Sequence, residues 1–517
     1  MADLKVSAMT PISGFTGTEL MPVVYAGNSV NYEATAAQMA LYANGGGLTA
    51  LEAAAGITTS QLNTCWPAYW APRYGVDMTG NTDSTLSMNL AHSIGPPIIY
   101  PAGTVLFSNV VISKLPGGVV GASRYATVFN STATANSAFL FNGTSGYYGP
   151  LLSGFQVNYT GTGYAIEVKS ASSTYQIHAP RFLEVYTNVT NNGIHLCAAP
   201  GARVAGCAMY GYTGFGLLVE NPVDADSGDG TVIDTAFYGL TGSTQIMQYN
   251  GCVNRIIGCK VQSSGSGAGV VLNLNNVGSS SDLTIAHNSM ENLTQAVLIE
   301  QQVGATTTWG NIIVDANQMS EINQNYVYCN PTAGGFFGGI ANGLTITNNV
   351  MSAPTGNSIT AIYLDYINGQ SLVSGNNIGG AWPYGTIATG IYIGPNCTAP
   401  ITVGPNQIAG CTVRSVYPYF PAVAQVVPKD QQTGTTNITC STSLGNGLYW
   451  GSATITFPTA FCWCSLQNGS VQITGALSGG GVSCYVYSAS FTAIALVAVS
   501  TTNGGAVPVR WTMNGII

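Results

Sequence analysis

Between Ile285 and Ile408 the apolar and polar positions recur five times in one frame, apolar-x-x-Asn-x-apolar. The copies are Ile285 to Met290, Val314 to Met319, Ile346 to Met351, Val373 to Ile378 and Val403 to Ile408. Their central residues, Asn288, Asn317, Asn349, Asn376 and Asn406, stand 29, 32, 27 and 30 residues apart. Upstream the frame persists with another residue at its centre: Cys207 in Val204 to Met209, Thr235 in Val232 to Phe237, Cys259 in Ile256 to Val261. A second β-prone run follows several of the copies, as in Gly269 to Leu272, Ala296 to Ile299, Ala361 to Leu364 and Gly390 to Ile393.

Self-similarity at such a period marks a solenoid, whose units bury their apolar faces only against their neighbours. The units alternate at period two, are rich in Val, Ile, Thr and Tyr, and are bounded by Gly, Asn, Ser and Pro. None holds a helical period long enough for a crossover helix. The pattern therefore predicts an all-β chain built on a right-handed parallel β-helix, with two or three short strands per coil. A repeated Asn fits that geometry. Stacked one coil above the next, an amide can donate and accept along the axis and satisfy turn backbone that would otherwise be buried unpaired.

Outside the repeats the chain is less regular. Residues 1–50 read as a separate module: a strand at Leu20 to Tyr25, a turn at Gly27-Asn28, a brief helix from Glu33 to Tyr42. It is too small to bury a core alone. Residues 51–72, with Trp66 and Trp70, read as a linker or neck packed against sister subunits. Residues 73–421 form the solenoid, opened by a short helix over Leu86 to Ile94, and 422–436 read as a second linker. Residues 437–517 alternate cleanly in four runs and predict a β-sandwich.

Composition narrows the function. Only 6% of residues are charged, against roughly 25% in ordinary globular proteins. The 12 Lys and Arg are scattered singly and the net charge is −8. Phosphate binding needs clustered bases, so nucleic acid is excluded as a partner. No run of about 18 apolar residues exists, so no membrane insertion is expected. Met1 to Lys5 lacks the basic and apolar regions of a signal peptide, so the 12 Cys are read as reduced and mostly buried. Cys207 and Cys259 then substitute for Asn or Thr in the ladder.

Three stretches carry a resemblance. Asp3 to Ser7, Thr16 to Leu20, Pro22-Val-Val24 and Thr35 to Gln38 resemble the virion-anchoring N-terminus of bacteriophage tail fibre and tailspike proteins. Tyr74-Gly-Val-Asp77, Asp83-Ser84, Pro101-Ala-Gly103-Thr and Gly117 to Gly121 resemble the first turns of the pectate-lyase-like β-helix superfamily. There an aspartate turn and a capping helix cover the first coil, and Asp77 and Asp83 take turn and N-cap roles. Gly447 to Gly451, Thr456 to Phe461 and Val509 to Gly515 resemble in part the C-terminal domains of phage tail fibres, which trimerise or touch the host.

The resemblance implies a virion tail protein made in the host cytoplasm. It implies a homotrimer docked on phage tail or baseplate proteins through residues 1–50 and attached to a host surface glycan. Two readings stay open: a spike that binds and cleaves a surface polysaccharide, and a purely adhesive or structural fibre. An exported polysaccharide lyase fits less well, because the chain's start is phage-like.

Candidate chemistry is sparse. Aligning the second runs gives a column of Glu220, Asn273, Glu300, Asn330 and Asp365. Coils about 4.8 Å apart put Glu300 and Asp365 roughly 9–10 Å from each other. That is the upper edge of the separation of about 6.5–9.5 Å between the carboxyls of inverting glycosidases. The competing reading is a solvated polar ladder. Glu291 and Glu321, just after adjacent Asn copies, make an alternative pair.

Asp224, Asp226 and Asp229 form the one acidic cluster. Their spacing approaches a calcium loop, but Thr235 stands where the twelfth-position Glu belongs. No metal and no cofactor is expected. The four His, at 92, 178, 195 and 287, read as isolated core or turn residues. Aromatic pairs at strand ends (Tyr147-Tyr148, Tyr210 and Tyr212, Trp382 and Tyr384, Tyr417 and Tyr419) suit either neutral sugar rings or trimer contacts. Trp382, Tyr384, Tyr363 and Asn330 are the substrate-binding candidates.

Overall fold

The computed structural model describes residues 20–23, 32–35 and 69–515. Excepted are 115, 144–148, 171–175, 221–228, 250–252, 275–281, 302–309, 331–342, 357, 380–384, 410, 419–423, 427–429, 447, 457–468, 474–480, 490–492, 502 and 504. Two compact units divide the chain, Met1–Ala199 with Arg203–Tyr210, and Pro200–Ala202 with Gly211–Ile517. In each, the strands pair in parallel with those one coil away, as a parallel β-helix requires.

A coil of the second unit has three short strands. The frame supplies the first two, for instance Leu283–Ala286 and the start of Ser289–Gln301. A third follows, such as Ala268–Leu274, Ile359–Leu364 or Ile387–Ile393. The leading apolar position of each frame points inward: Val232, Ile256, Ile285, Val314, Ile346, Val373 and Val403 are all buried. So are the closing residues Phe237, Val261, Met290, Met319, Met351 and Ile378. Each such side chain contributes about 1.5–3 kcal/mol.

The chain turns between first and second strands through a residue at positive φ. In the second unit these are Asp234, Gly258, His287, Ala316, Asn348 and Gly375, with φ from 50° to 72°. The next residue in each case is the ladder residue: Thr235, Cys259, Asn288, Asn317, Asn349 and Asn376, all buried. Each Asn Nδ2 donates to the Oδ1 of the next Asn at 2.9–3.0 Å, and each backbone N–H donates to that same Oδ1 at 3.0–3.1 Å. The second amide hydrogen goes back to a first-strand carbonyl, Ile256 for Asn288 and Ile285 for Asn317. Cys259 joins the ladder through its backbone N–H, 2.8 Å from Asn288 Oδ1. In the first unit the same turn column is Gly154, Glu184 and Gly206, followed by Phe155, Val185 and Cys207.

The first unit is closed by the helix Thr85–His92. Its Met88, Ala91 and His92 are buried. His92 Nε2 lies 2.9 Å from Tyr100 Oη, and burial pushes His92 down to about 3, so it is neutral. Beneath it Tyr100, Phe107, Phe129, Phe139 and Phe155 form an edge-to-face aromatic core. Asp77 folds the loop before the helix. It accepts from Thr79 N and Oγ1, Asn81 N, and Thr82 N and Oγ1 at 2.6–3.1 Å. Asp83 Oδ1 takes Thr85 N–H at 2.8 Å. Both aspartates thus hold turn and helix start.

At the other end two antiparallel sheets pack face to face. They enclose Ile438, Cys440, Ile494, Leu496, Ala498, Val507, Val509 and Trp511, the expected sandwich. Two details differ from expectation. Within 422–436, read as a linker, Ala424–Val426 adds a rung beside Ile401–Val403, and Asp430–Cys440 is the long first strand of the terminal sheet. Their alternating Val, Gln and Thr suffice for β pairing. Near the start, Tyr32–Thr35 pairs antiparallel with Leu20–Val23 where a helix from Glu33 was expected; 36–42 lie outside the described residues. Cys197, Cys207, Cys259, Cys329, Cys397, Cys411 and Cys440 form no disulfide, and Cys207, Cys259, Cys329, Cys397 and Cys440 are buried.

Candidate functional site

The third strands of the second unit present two outward columns side by side. Parallel register puts Leu218, Met247, Val271, Leu298, Tyr328, Tyr363 and Tyr392 in one of them, the first three buried. Three half-buried phenol rings stack within it. Tyr328 and Tyr363 have centroids 4.9 Å apart, Tyr363 and Tyr392 4.7 Å, with planes 21° and 15° from parallel. The spacing is that of the coils themselves. Burial, with Asp365 and the flanking phenols, pushes the Tyr363 hydroxyl up to about 12.

Two residues further along each strand lies the polar column. Glu220 faces Tyr249, and Asn273 faces Glu300. Asn330 and Asp365 follow in turn, their N–H groups donating to Ile299 O and Cys329 O. Asn273 Nδ2 donates to Glu300 Oε1 at 2.9 Å. Burial raises the Glu300 carboxyl above its ordinary value, a shift the Asn273 bond only partly offsets. Tyr249 is raised by burial and then by Glu220 and Glu300. Asn330 Nδ2 donates to Tyr328 Oη at 3.0 Å, tying the two columns together.

Glu300 and Asp365 thus share a column two coils apart, about 10 Å along the axis. Their environments differ. Asp365 is 4% exposed. Its Oδ1 accepts the N–H groups of Tyr366 and Asn396 at 3.0 and 2.9 Å, and its Oδ2 accepts Asn396 Nδ2 at 2.9 Å. Gly394 leaves it room: a Cβ there would stand 2.4 Å from Asp365 Cγ. This carboxylate holds a turn. Glu300 is the one of the pair with the character of a proton donor.

The alternative pair does not stack. Glu291 faces Ser320, while Glu321 stands one residue on, exposed, at φ 57°. Glu291 instead accepts from Ser289 Oγ at 3.0 Å and pairs with Lys260 at 3.7 Å. Asp229 is exposed, and Asp224, Asp226, Trp382 and Tyr384 lie outside the described residues, as do Tyr147, Tyr148 and Tyr419. Tyr210 packs against Tyr186 with ring centroids 5.0 Å apart and planes tilted by 31°. Tyr212 is buried, its hydroxyl donating to Gln245 Oε1.

His195 is not isolated. In the first unit it faces Glu167 across paired strands, its Nδ1 3.4 Å from Glu167 Oε1, and it packs on Tyr164 at 4.6 Å. Ser137 Oγ donates to Glu167 Oε2 at 2.6 Å and Lys169 Nζ lies 3.0 Å from Oε1. Burial pushes this carboxyl up, but the bonds from His195, Ser137 and Lys169 outweigh it and bring Glu167 to about 2. Sequence reading missed this cluster and the partners Tyr328, Tyr392 and Tyr249. Aligning Ala165-Ile-Glu-Val-Lys169 with Gly193-Ile-His-Leu-Cys197 would have found the first.

No family model matches the chain, and no curated protein matches it. Solved structures do. The tailspike of Pseudomonas phage phi297 is 12% identical, with 86% of this chain and 98% of that one covered and a TM-score of 0.47. The Dettilon tailspike protein is 12% identical, covers 86% and 94%, and scores 0.48. A mutant tailspike of the E. coli bacteriophage HK620, in complex with a hexasaccharide, is 12% identical, covers 97% and 98%, and scores 0.45.

Proposed function

We propose that this chain is a phage tail spike or tail fibre that attaches the virion to its host by binding a bacterial surface polysaccharide. The glycan lies on the outward face of the third strands in the second unit. One observation carries this reading: a stacked row of half-buried phenols, Tyr328, Tyr363 and Tyr392, meets at Asn330 a row of amide and carboxyl groups, Asn273, Glu300 and Asn330, from the preceding coils of the same face. Aromatic edges with adjacent hydroxyls and amides suit sugar rings, which need apolar contact and directional hydrogen bonds together. A β-helix offers these groups on a rigid support, so little ordering entropy is lost on binding.

Residues 1–50 serve as the virion anchor on tail or baseplate proteins, the chain works as a homotrimer, and residues 437–517 take part in trimerisation or host contact. It is made in the host cytoplasm and acts in the virion. Adhesion without cleavage is a second reading, favoured by one fact: Asp365, one of the expected carboxyl pair, already accepts three hydrogen bonds. In the cleaving reading Glu300 protonates the leaving oxygen.

The test is retention of purified bacterial surface polysaccharides by the intact protein, with release of new reducing or unsaturated ends as a second readout. Retention that falls in Tyr363→Ala supports the face. Release that vanishes in Glu300→Gln makes the protein a depolymerase, and retention without release makes it an adhesin. No retention of any surface polysaccharide overturns the reading.

A further inference from the structure

The charge of this chain is unevenly placed. Residues 211–410 hold two Lys or Arg, Arg255 and Lys260, against eleven Asp or Glu, a net charge of −9. The whole chain carries −8, so everything outside that stretch sums to +1. The imbalance falls on the trunk segment that bears the two outward columns.

Neither base reaches the columns. Arg255 lies on Val253–Ile257 and Lys260 on Lys260–Ser263, the first and second strands of their coil. Lys260 is also engaged, 3.7 Å from Glu291 Oε2 and 5.9 Å above the Tyr238 ring. The third strands from Phe215–Glu220 to Ile387–Ile393 contain no Lys, Arg or His, and neither do the connections that follow them. Along the face stand Glu220, Glu300 and Asp365, with the phenols Tyr249, Tyr328, Tyr363 and Tyr392. Hydrogen-bond donors here are neutral amides and hydroxyls: Asn273 Nδ2 is spent on Glu300 and Asn330 Nδ2 on Tyr328.

We infer that this face is an electrostatic filter that admits uncharged or amine-bearing glycans and rejects anionic ones. The inference rests on the polysaccharide-binding reading above and adds the charge class of the ligand. A uronate, sialate or phosphate placed on the phenol row would lie within one or two coils of a carboxylate, and the third strands from Phe215–Glu220 to Ile387–Ile393 offer no Lys or Arg to receive it. That distance is comparable to the screening length of about 8 Å at physiological ionic strength, so salt relieves only part of the repulsion. Sites that recognise carboxylate or phosphate use Arg forks or Lys, and the third strands from Phe215–Glu220 to Ile387–Ile393 carry neither. Neutral sugars meet no such penalty, because their hydroxyls bond equally to amides, phenols and carboxylates.

The experiment immobilises a panel of purified bacterial O-polysaccharides and capsules, half of them neutral and half bearing uronate or phosphate. Binding of the full chain is read at low and at physiological salt. For any uronate polymer a carboxyl-reduced form of the same chain is run beside it. The expected result is retention confined to neutral members, nearly independent of salt. A carboxyl-reduced polymer should be held at least tenfold more tightly than its native form. Glu220→Gln with Glu300→Gln should narrow that ratio, and an unfolding midpoint like the parent's shows that the variant is folded. Equal or tighter binding of anionic members overturns the filter and leaves polysaccharide binding standing. Failure to retain any member overturns both.

Discussion

Asn288 and Asn317 share one oxygen. Oδ1 of Asn317 receives the side-chain amide of Asn288 at 2.9 Å and its backbone N–H at 3.0 Å, both fully inside the trunk. Because every link repeats this double acceptance, each Asn satisfies a turn N–H that nothing else in the coil could reach. The ladder is therefore a device for burying a bend.

Asn317→Ala should be among the most damaging single changes in the trunk. It orphans the backbone N–H of Asn288 and one hydrogen of its Nδ2, frees the Ile285 carbonyl, and removes the side-chain donor to Asn349. A buried group left without a partner costs about 1–3 kcal/mol, so a loss of at least ~3 kcal/mol is expected in denaturant unfolding. A loss below ~1 kcal/mol would show that the ladder is ornamental.

Cys259→Asn should act in the opposite direction. Cys259 already has the ladder's backbone bond, and its Sγ sits 3.8 Å from Val232 O, the carbonyl that an amide at this rung would bond. An Asn there gains that bond and one to Asn288 Oδ1, for about 1–2 kcal/mol. An unfolding midpoint that falls would mean that the thiol is kept for its size.

Much of this was legible in the chain because Asn stacks on Asn, so one residue type keeps returning in the frame. Thr235 and the two cysteines could be placed by that frame alone. The bend before each rung was not legible: Asp234, Gly258, His287, Ala316, Asn348 and Gly375 share a backbone conformation and no chemistry. The phenol row was hidden for another reason. Tyr328, Tyr363 and Tyr392 stand 35 and 29 residues apart, and unequal connections conceal a register that only strand pairing fixes. The burial of Asp365 is not visible in the chain, because the Asn396 that satisfies it comes from the next coil.

Acid should destabilise the first unit through Glu167 and Asp77. Glu167 titrates at about 2 instead of 4.5, and Asp77 at about 2 instead of 3.8. For Asp77, partial burial pushes upward but the bonds from Thr79 and Thr82 prevail. Both folded values lie below the unfolded ones. Their stabilisation is therefore complete above about pH 4.5 and disappears as pH falls toward 2. Unfolding midpoints measured from pH 7 to pH 2 should drop steeply below pH 4.5, and Glu167→Gln should flatten that limb. A parallel curve for the variant would refute the assignment.

Tyr363→Phe and Tyr363→Ala should separate stacking from hydrogen bonding. Phe keeps both ring contacts with Tyr328 and Tyr392, each worth about 0.5–1.5 kcal/mol beyond area burial. Ala loses both and opens the row. Stability should therefore be near normal in the first and lower by about 2 kcal/mol in the second. Glycan retention should weaken modestly in the first and collapse in the second. Full retention by the Ala variant would move the glycan off this face.

Glu300 and Asp365 should respond in opposite ways to loss of charge. Burial raises Glu300, so its folded value exceeds the unfolded one. The stabilisation from its neutral form is present below the unfolded value and lost as pH rises through the folded one. Glu300→Gln stays neutral and keeps an oxygen for Asn273, so at pH 8 the variant should be as stable as the parent or more so. Glycan retention should persist, and any cleavage should fall by at least ~100-fold. Asp365→Asn keeps an oxygen for the N–H groups of Tyr366 and Asn396 but sets its own NH2 against Asn396 Nδ2, costing about 1–3 kcal/mol. Cleavage lost only in the Asp365 variant, together with its stability, would be damage to the fold. Cleavage lost in a fully stable Glu300→Gln, with retention intact, would be chemistry removed.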